Sequence, residues 1–322
     1  MLQQIFAPIE QEINSFNRSL DKIIHHNDIA VDELLSDISL YKGKQLRPAM
    51  VFLSAATVGN INRLTYTTAL AFELLHYSSL IHDDVVDNGQ KRHNQPTINA
   101  ARGVKTAVLT GDYLLSKCMT LVAQTQNMPL LEKLSQVAQA MTTGELLQLV
   151  EPDNRIISQE QYLRIIDCKT ASLIAACFEM GVVSVQENKY PAQQWNSFGR
   201  DVGMIFQLKD DLLDYQPDNL SQKDVCKDIY EHKITLPLIV ALQQLPADEQ
   251  LSLFHLYKTH QGKYEEIKSL IEKITQHGGI SYTENMIAEK SERCIAFVQA
   301  QKDSVYKEAL LALIRFIKER TF

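Results

Sequence analysis

The chain has 322 residues, 45% of them hydrophobic and 22% charged, with a formal net charge of −7. That is ample for a sizeable core. The acidic balance argues against nucleic acid as the main partner, while bound metal ions would invert the local sign and leave anionic substrates open.

Only 12 Gly and 9 Pro are present, a usage that leans towards helix. The five cysteines (Cys118, Cys168, Cys177, Cys226 and Cys294) are an odd set without CxxC spacing, as in a reduced, intracellular protein, so a cytoplasmic location is expected. The opening Met1-Leu2-Gln3-Gln4-Ile5 lacks a basic region followed by an apolar run, so no signal peptide is expected. No apolar run reaches about 18 residues, so no membrane span is predicted and any membrane contact is peripheral.

Residues 1–40 carry apolar positions at helical spacing and predict one or two opening helices. In the stretch that follows, Tyr41 to Pro48, Pro48 is suited to the first helical position. Lys44 and Arg47 then sit at a helix N-terminus, where free N–H groups and the dipole favour an anion; two solvated loop bases are the plainer alternative.

Tyr66 to Asp87 reads as one long helix. Leu70, Leu74, Tyr77, Ile81 and Val85 fall on a core face, and Glu73, His76, Leu80, Asp83 and Asp87 on the opposite one. Asp83 and Asp87 are four apart on a shared helical face, with Asp84 beside them. Three carboxylates so close repel one another unless a hard cation such as Mg²⁺ sits over them. The polar run Asn88 to Thr97 predicts a loop that brings Lys91, Arg92 and His93 beside this cluster, as a metal–diphosphate clamp requires. The plainer alternative is a charged surface turn.

Ser158 and Gln161 predict a capping box for a helix carrying Tyr162, Ile166, Lys169, Thr170 and Leu173. Lys169 lies in an apolar surround and needs an anionic partner. Around 202–214, Gln207, Asp210, Asp211 and Asp214 form one stripe and Val202, Ile205, Leu208 and Leu212 the other, so the acidic pattern occurs twice. A polar loop from Gln216 to Lys233 follows, with Lys223, Lys227, Asp228 and Lys233; then Thr235-Leu236-Pro237 opens another helix. From 246 onward the pattern is of amphipathic helices with a break at Gly278-Gly279. No strand alternation or repeat is found, and 1–322 is expected to form a single all-α domain.

The chain resembles the trans-polyprenyl diphosphate synthases of the long-chain group. The resemblance rests on GKQLRP at 43–48, HYSSLIHDDVVD at 76–87, GDYLL at 111–115, GELLQ at 144–148, KTASL at 169–173, GMIFQLKDDLLDY at 203–215 and KITLPL at 233–238. It implies one large helical bundle of the isoprenoid synthase type that condenses isopentenyl diphosphate onto an allylic diphosphate such as farnesyl diphosphate. By that resemblance Asp83, Asp84, Asp87, Asp210, Asp211 and Asp214 face about three Mg²⁺ ions bridging the allylic diphosphate. Arg92, Lys169 and Lys223, or Lys233, hold the same diphosphate. Lys44, Arg47 and His76 bind isopentenyl diphosphate, and Gln207 and Thr170 line the cavity near the reacting carbons. A homodimer is a further implication.

The resemblance also places tunnel-closing residues four and five positions before Asp83. Here these are Ser79 and Ser78, both small. Each helical turn rises about 5.4 Å, roughly one isoprene unit, so a long product of about seven to ten units is expected, octaprenyl favoured, for quinone side chains. Phe72 and Met119 are candidates for the floor.

Some positions depart from the family pattern. His93 stands where the family carries a second arginine that binds isopentenyl diphosphate; a one-residue slip would instead offer Lys91-Arg92 as the basic pair. Gln222 and Cys226 replace loop glycines. A class I terpene cyclase would lack the Lys44, Arg47 and His76 set. A short-chain farnesyl or geranylgeranyl synthase, for which Tyr77 beside the tunnel positions is the hint, and a non-catalytic subunit of a heteromeric synthase, for which His93 is the hint, are the competing readings.

Overall fold

The computed structural model describes residues 1–92, 94–150, 156–185, 192–216 and 227–320. The helices in chain order are α1 (Leu2–Phe6), α2 (Glu10–Ile24), α3 (Ile29–Leu35), α4 (Leu46–Val58), α5 (Arg63–Val86), α6 (Ile98–Arg102), α7 (Val104–Gln124), α8 (Met128–Val150) and α9 (Gln159–Ile166). They continue as α10 (Ser172–Val185), α11 (Ala192–Leu213), α12 (Lys227–Tyr230), α13 (Leu236–Gln243), α14 (Ala247–Thr259), α15 (Tyr264–Gln276), α16 (Gly279–Gln299) and α17 (Val305–Glu319). The all-α expectation holds. Among the described residues the one sheet is a minimal antiparallel hairpin, β1 (Lys91–Arg92) with β2 (Gln95–Pro96), which the sequence pattern does not signal. Two-residue strands are too short for alternation to register.

The chain divides into two compact units, each drawn from separate stretches. The first comprises Met1–Ala138, Leu173–Gly199 and Gln301–Leu310; the second comprises Gln139–Ser172, Arg200–Ala300 and Leu311–Phe322.

In the first unit α5 is the central helix and packs on α7 and α4. It starts at a capping box in which the Asn62 side chain accepts from Leu64 and Thr65 and the Thr65 hydroxyl accepts from the Asn62 N–H. Burial runs round much of its circumference, with Ala71, Phe72, Leu74, Tyr77 and Ile81 sealed. Each large apolar side chain among them contributes about 1.5–3 kcal/mol. Gly111 on α7 allows close approach: a Cβ there would lie 2.3 Å from His82 Nε2. Helix α4 begins at Leu46 behind Gln45, whose φ of 54° is left-handed. Pro48 is therefore the third helical residue rather than the first, still within the turn whose N–H groups have no intrahelical acceptor.

In the second unit α13 is buried on all sides against α16, α15 and α14. Its Leu238, Ala241 and Leu242 join Tyr215, Ile229, Tyr257, Leu270 and Ile274 in one apolar cluster. Gly278, at φ 75°, makes the expected break between α15 and α16.

Helix α9 and α10 are not one regular helix. Asp167–Ala171 between them forms a π-turn, and Lys169 and Thr170 sit on it. Gln159–Val185 as a whole is long and apolar enough to cross a membrane by length and composition, which the sequence analysis does not anticipate, and 67% of its apolar window is buried inside the protein.

Candidate active site

The first acidic stretch lies at the C-terminal end of α5 and its three aspartates are unequal. Asp84 is buried, and Arg92 grips it with two bonds, Nη2 to Oδ1 at 2.9 Å and Nε to Oδ2 at 3.2 Å. The Tyr41 hydroxyl donates to the same carboxylate at 2.7 Å, and the Arg92 guanidinium lies 5.5 Å from the Tyr41 ring centroid. Burial and then the Asp84 bond push the Tyr41 hydroxyl up from its ordinary range. The hairpin makes this possible: Thr97 ties its base through the Gly89 carbonyl at 2.7 Å, and Arg92 is carried back over the helix end. Asp83 is half-buried and Asp87 exposed.

Near the start of α4, Lys44 is exposed and Arg47 half-buried. Across on α5, His76 has its pKa driven well below the ordinary value, first by burial and then by Arg47 and Arg92. Glu73, one turn earlier, is 2% exposed and titrates at about 7, pushed up by burial against the opposing pull of Arg47. Ser78 is buried with its hydroxyl on the Gly111 carbonyl at 2.9 Å, whereas Ser79 is half-buried and bonded to the His76 carbonyl of its own helix. Phe72 is sealed, but Met119 is 51% exposed. Its helical position turns it away from the interior of its unit, so it is not a floor there.

In the second unit a chain of side chains runs from the π-turn to the second acidic stretch. The Thr170 hydroxyl donates to Gln207 Oε1 at 2.9 Å, and Gln207 Nε2 donates to Asp211 Oδ1 at 3.1 Å. The Tyr162 hydroxyl donates to the other Asp211 oxygen. Ser158 caps α9 as expected, accepting from the Gln161 N–H at 3.1 Å. Lys169 has the anionic partner its surroundings demand: Glu145 at 2.5 Å, with Gln148 at 2.8 Å. Gly144 makes room, since a Cβ there would lie 2.6 Å from Lys169 Cγ. Asp214 is buried, accepts the Asp228 N–H at 2.7 Å and titrates at about 8, raised by burial and then by the Asp228 carboxylate. Burial, with Asp228 and Asp214 adding to it, raises Asp211 well above the carboxylate range. Asp210 is the most open of the three and pairs with Arg320 at 2.6 Å. Lys233 is bridged to Glu231 at 2.9 Å and Asp228 at 3.4 Å.

These groups rim a cavity of about 310 Å³ whose walls include Tyr162, Lys169, Thr170, Gln207, Asp211 and Lys233. His232 and Lys258 also line it, and neither is singled out by the sequence. His232 is in the left-handed region at φ 56° and bonds the Tyr257 carbonyl through Nδ1 at 2.8 Å.

Among the described residues no three carboxylate, imidazole or thiol groups converge as a ready-made metal cage. Mg²⁺ is commonly held by one or two carboxylates together with substrate phosphates. Hard oxygen donors are what Asp83, Asp87 and Asp210 offer. His93 and Lys223, with Gln222 and Cys226, lie outside the described residues.

The Polyprenyl synthetase family profile matches residues 30–274. The chain belongs to the polyprenyl synthetase family. It is a prenyltransferase; its curated relatives include octaprenyl, nonaprenyl and solanesyl diphosphate synthases, and its solved neighbours also include geranylgeranyl pyrophosphate synthases. An octaprenyl diphosphate synthase of Haemophilus influenzae is 30% identical over 281 residues, 87% of this chain and 85% of that protein. An all-trans-nonaprenyl-diphosphate synthase of Rhodobacter capsulatus, described as geranyl-diphosphate specific, is 30% identical over 99% of this chain and 98% of its own. A solved polyprenyl synthase from Caulobacter crescentus, complexed with calcium and isoprenyl diphosphate, superposes with a TM-score of 0.88 at 28% identity, covering 100% of this chain and 98% of that one.

Two polar partners in this synthetase escape the sequence reading. Tyr41 reaches Asp84 from 43 positions away, and Arg320 reaches Asp210 from the other end of the chain. Neither has a local signal. Glu73, by contrast, is already on the polar stripe that the sequence shows, three residues before His76.

Proposed function

We propose that this chain condenses isopentenyl diphosphate onto an allylic diphosphate, farnesyl diphosphate being the expected primer, and makes an all-trans polyprenyl diphosphate of the octaprenyl class for quinone side chains. The observation that carries the reading is the repeated acidic stretch, Asp83 to Asp87 and Asp210 to Asp214, each with basic side chains beside it, in a chain whose curated relatives include octaprenyl and nonaprenyl diphosphate synthases.

Asp83, Asp87 and Asp210 are the metal-facing carboxylates, with Asp214 joining them once deprotonated. The bound Mg²⁺ ions supply Lewis-acid neutralisation of the leaving diphosphate. Asp84 acts through Arg92, holding its guanidinium by two bonds so that the remaining donors are aimed in advance. Lys169, kept in place by Glu145 and Gln148, and Lys233, or Lys223, add fixed positive charge. Thr170 and Gln207, locked to one another, present polar atoms along the cavity wall without a free charge that would trap an allylic cation. Lys44, Arg47 and His76 bind isopentenyl diphosphate and set its double bond against the cation. No side chain stands out as the base for the proton lost after bond formation; released diphosphate takes that part.

Small Ser79 leaves the path beyond the first aspartate stretch open, hence a long product. A homodimer in the cytoplasm is the expected working state. Incubation with farnesyl diphosphate, labelled isopentenyl diphosphate and Mg²⁺, with products resolved by length, tests the reading: a band at about seven to ten units is expected. Products that stop at three or four units would sink the tunnel argument, and no elongation from any primer would sink the activity.

A further inference from the structure

His232 is a half-buried histidine in the wall of the second unit's cavity. Its backbone lies in the left-handed region at φ 56°, which a residue with a Cβ enters at a cost and glycine enters freely. The end of α14 holds it by three contacts. Its Nδ1 bonds the Tyr257 carbonyl at 2.8 Å, its own carbonyl accepts from Lys258 Nζ at 3.1 Å, and the His260 ring lies 4.4 Å away between centroids. The Tyr257 hydroxyl donates to the next carbonyl, that of Lys233, at 2.5 Å. A carbonyl only accepts, so Nδ1 of His232 carries the proton and the neutral ring presents Nε2 as a lone pair. That Nε2 makes no hydrogen bond to any described residue. His260 differs: its Nε2 donates to the Ile229 carbonyl at 3.0 Å and its Nδ1 accepts from the Gly262 N–H at 3.1 Å, so both nitrogens are used. Burial and then His232 hold the His260 pKa below its ordinary value. The carboxylates of the cavity wall are already engaged, Asp211 with Tyr162 and Gln207, and Asp228 and Glu231 with Lys233. Lys169, Lys233 and Lys258 bring positive charge to the same wall.

We infer that His232 is a further diphosphate-binding residue, its Nε2 sharing a proton with a phosphate oxygen of the allylic diphosphate. The inference rests on the assignment of Lys169 and Lys233 to that diphosphate, since both line the cavity with His232. The backbone bond decides how the ring responds. Nδ1–H stays on the Tyr257 carbonyl in both protonation states, so a second proton changes Nε2 alone, from acceptor to donor, and the ring need not turn. Solvent or the hydrogen diphosphate itself supplies that proton, and only N–H and O–H bonds change. With the wall's carboxylates engaged elsewhere, a phosphate oxygen is the anion that Nε2–H lacks within the chain. The bond so formed joins a cation to an anion and is of the strong, charge-assisted kind. Lys258 and Tyr257 fix the His232 carbonyl and ring before any ligand arrives, so the contact is preorganised. The left-handed backbone at His232 is accounted for by the placing of this ring.

The test is calorimetric titration of magnesium diphosphate, without a prenyl chain, into the full-length wild type, His232→Gly and His232→Asn from pH 6 to 8.5. Gly and Asn both accept a left-handed backbone, so the turn is retained, and neither carries a titratable ring. The probe's own protons and the other cavity groups are common to all three proteins, so a difference in pH slope reports His232. Both variants are expected to bind about tenfold more weakly than the wild type at pH 6. The gap should close to about twofold or less by pH 8.5, where the imidazolium is hard to form. A ring that only props the turn would change the melting temperature and leave the three pH slopes parallel, which would overturn the inference. Equal affinities at pH 6 would also overturn it and leave Lys169 and Lys233 standing. Nitrogen NMR of the histidine-labelled wild type gives a readout that does not depend on a variant folding. One imidazole should become doubly protonated when magnesium diphosphate is added at pH 7, and no such change would sink the proposal. Failure of the wild type to bind magnesium diphosphate at any of these pH values would overturn both the inference and the lysine assignment.

Discussion

Arg320 holds Asp210 by a 2.6 Å ion pair, from one residue past the end of α17. The guanidinium is 9% exposed, stacks 3.9 Å from the Phe206 ring centroid and donates to the Phe206 carbonyl at 2.5 Å. Its Nε is buried without an acceptor. A cation therefore rests on the most open carboxylate of the second acidic stretch, the one best suited to a metal ion.

On the metal-facing role proposed for Asp210, Arg320 competes with the ion for that carboxylate. Replacing Arg320 by Gln removes the competitor and leaves the carboxylate more basic. Mn²⁺ binding, followed by electron paramagnetic resonance of the free ion, should tighten by about three- to tenfold, the modest range expected because Asp210 is part-solvated. Unchanged or weaker Mn²⁺ binding would mean that Arg320 orients Asp210 for the metal rather than displacing it.

The first stretch predicts a division of labour. Asp84 is tied to Arg92 and Tyr41, whereas Asp83 is half-buried on the face shared with Asp87. Asp84→Asn strips the counter-charge from Arg92 and should cost about 2–3 kcal/mol in urea melts, less than a fully sealed pair because Arg92 keeps some solvent contact. Asp83→Asn should leave the melt within about 0.5 kcal/mol and abolish most activity. Equal stability losses in the two variants would remove the distinction.

The helices and both acidic stretches are legible in the sequence because they rest on local periodicity. Ser158 caps α9 and Gly278 breaks the chain before α16, both positions the pattern marks, whereas Asn62, the cap of α5, precedes the Tyr66 start that the pattern predicts. What periodicity cannot show is which way each carboxylate turns. Asp83, Asp84 and Asp87 look alike on a helical wheel, and only the return of the hairpin sets Asp84 on Arg92. The π-turn at Asp167–Ala171 is similarly hidden, since Ile165, Ile166, Leu173 and Ile174 read as one continuous apolar helix. Tyr41 and Arg320 are long-range partners, and long-range pairing leaves no trace in local spacing.

Chain length should respond differently at the two serines. Ser78 is sealed against Gly111 of α7, so Ser78→Phe overpacks that contact and should cost about 1–3 kcal/mol. Ser79 is half-buried and bonded only within its own helix turn, so a ring there can be accommodated. Ser79→Phe should fold normally and shift the product to three or four isoprene units in chromatography of the dephosphorylated prenols. A full-length product from Ser79→Phe would show that the growing chain takes another path.

In the metal-free protein, stability should fall as pH rises through neutrality. Asp214 titrates at about 8 in the folded chain against an ordinary 3.8, and Glu73 at about 7 against 4.5. Across those intervals the folded state holds protons that the unfolded state has lost. The stabilisation is complete below the unfolded values and is lost as pH climbs through the folded ones, at up to about 1.4 kcal/mol per pH unit for each proton. Denaturant midpoints taken with chelator at pH 6, 7 and 8 should therefore decline. Asp214→Asn should remove most of the decline that remains between pH 7 and 8, where Glu73 is more than half ionised. Excess Mg²⁺ should reverse the slope, since the ion binds the deprotonated carboxylate and its stabilisation grows as that form becomes available. A metal-free midpoint that rises from pH 6 to 8 would show that Asp214 is ionised in the folded chain, its burial outweighed by neighbouring positive charge.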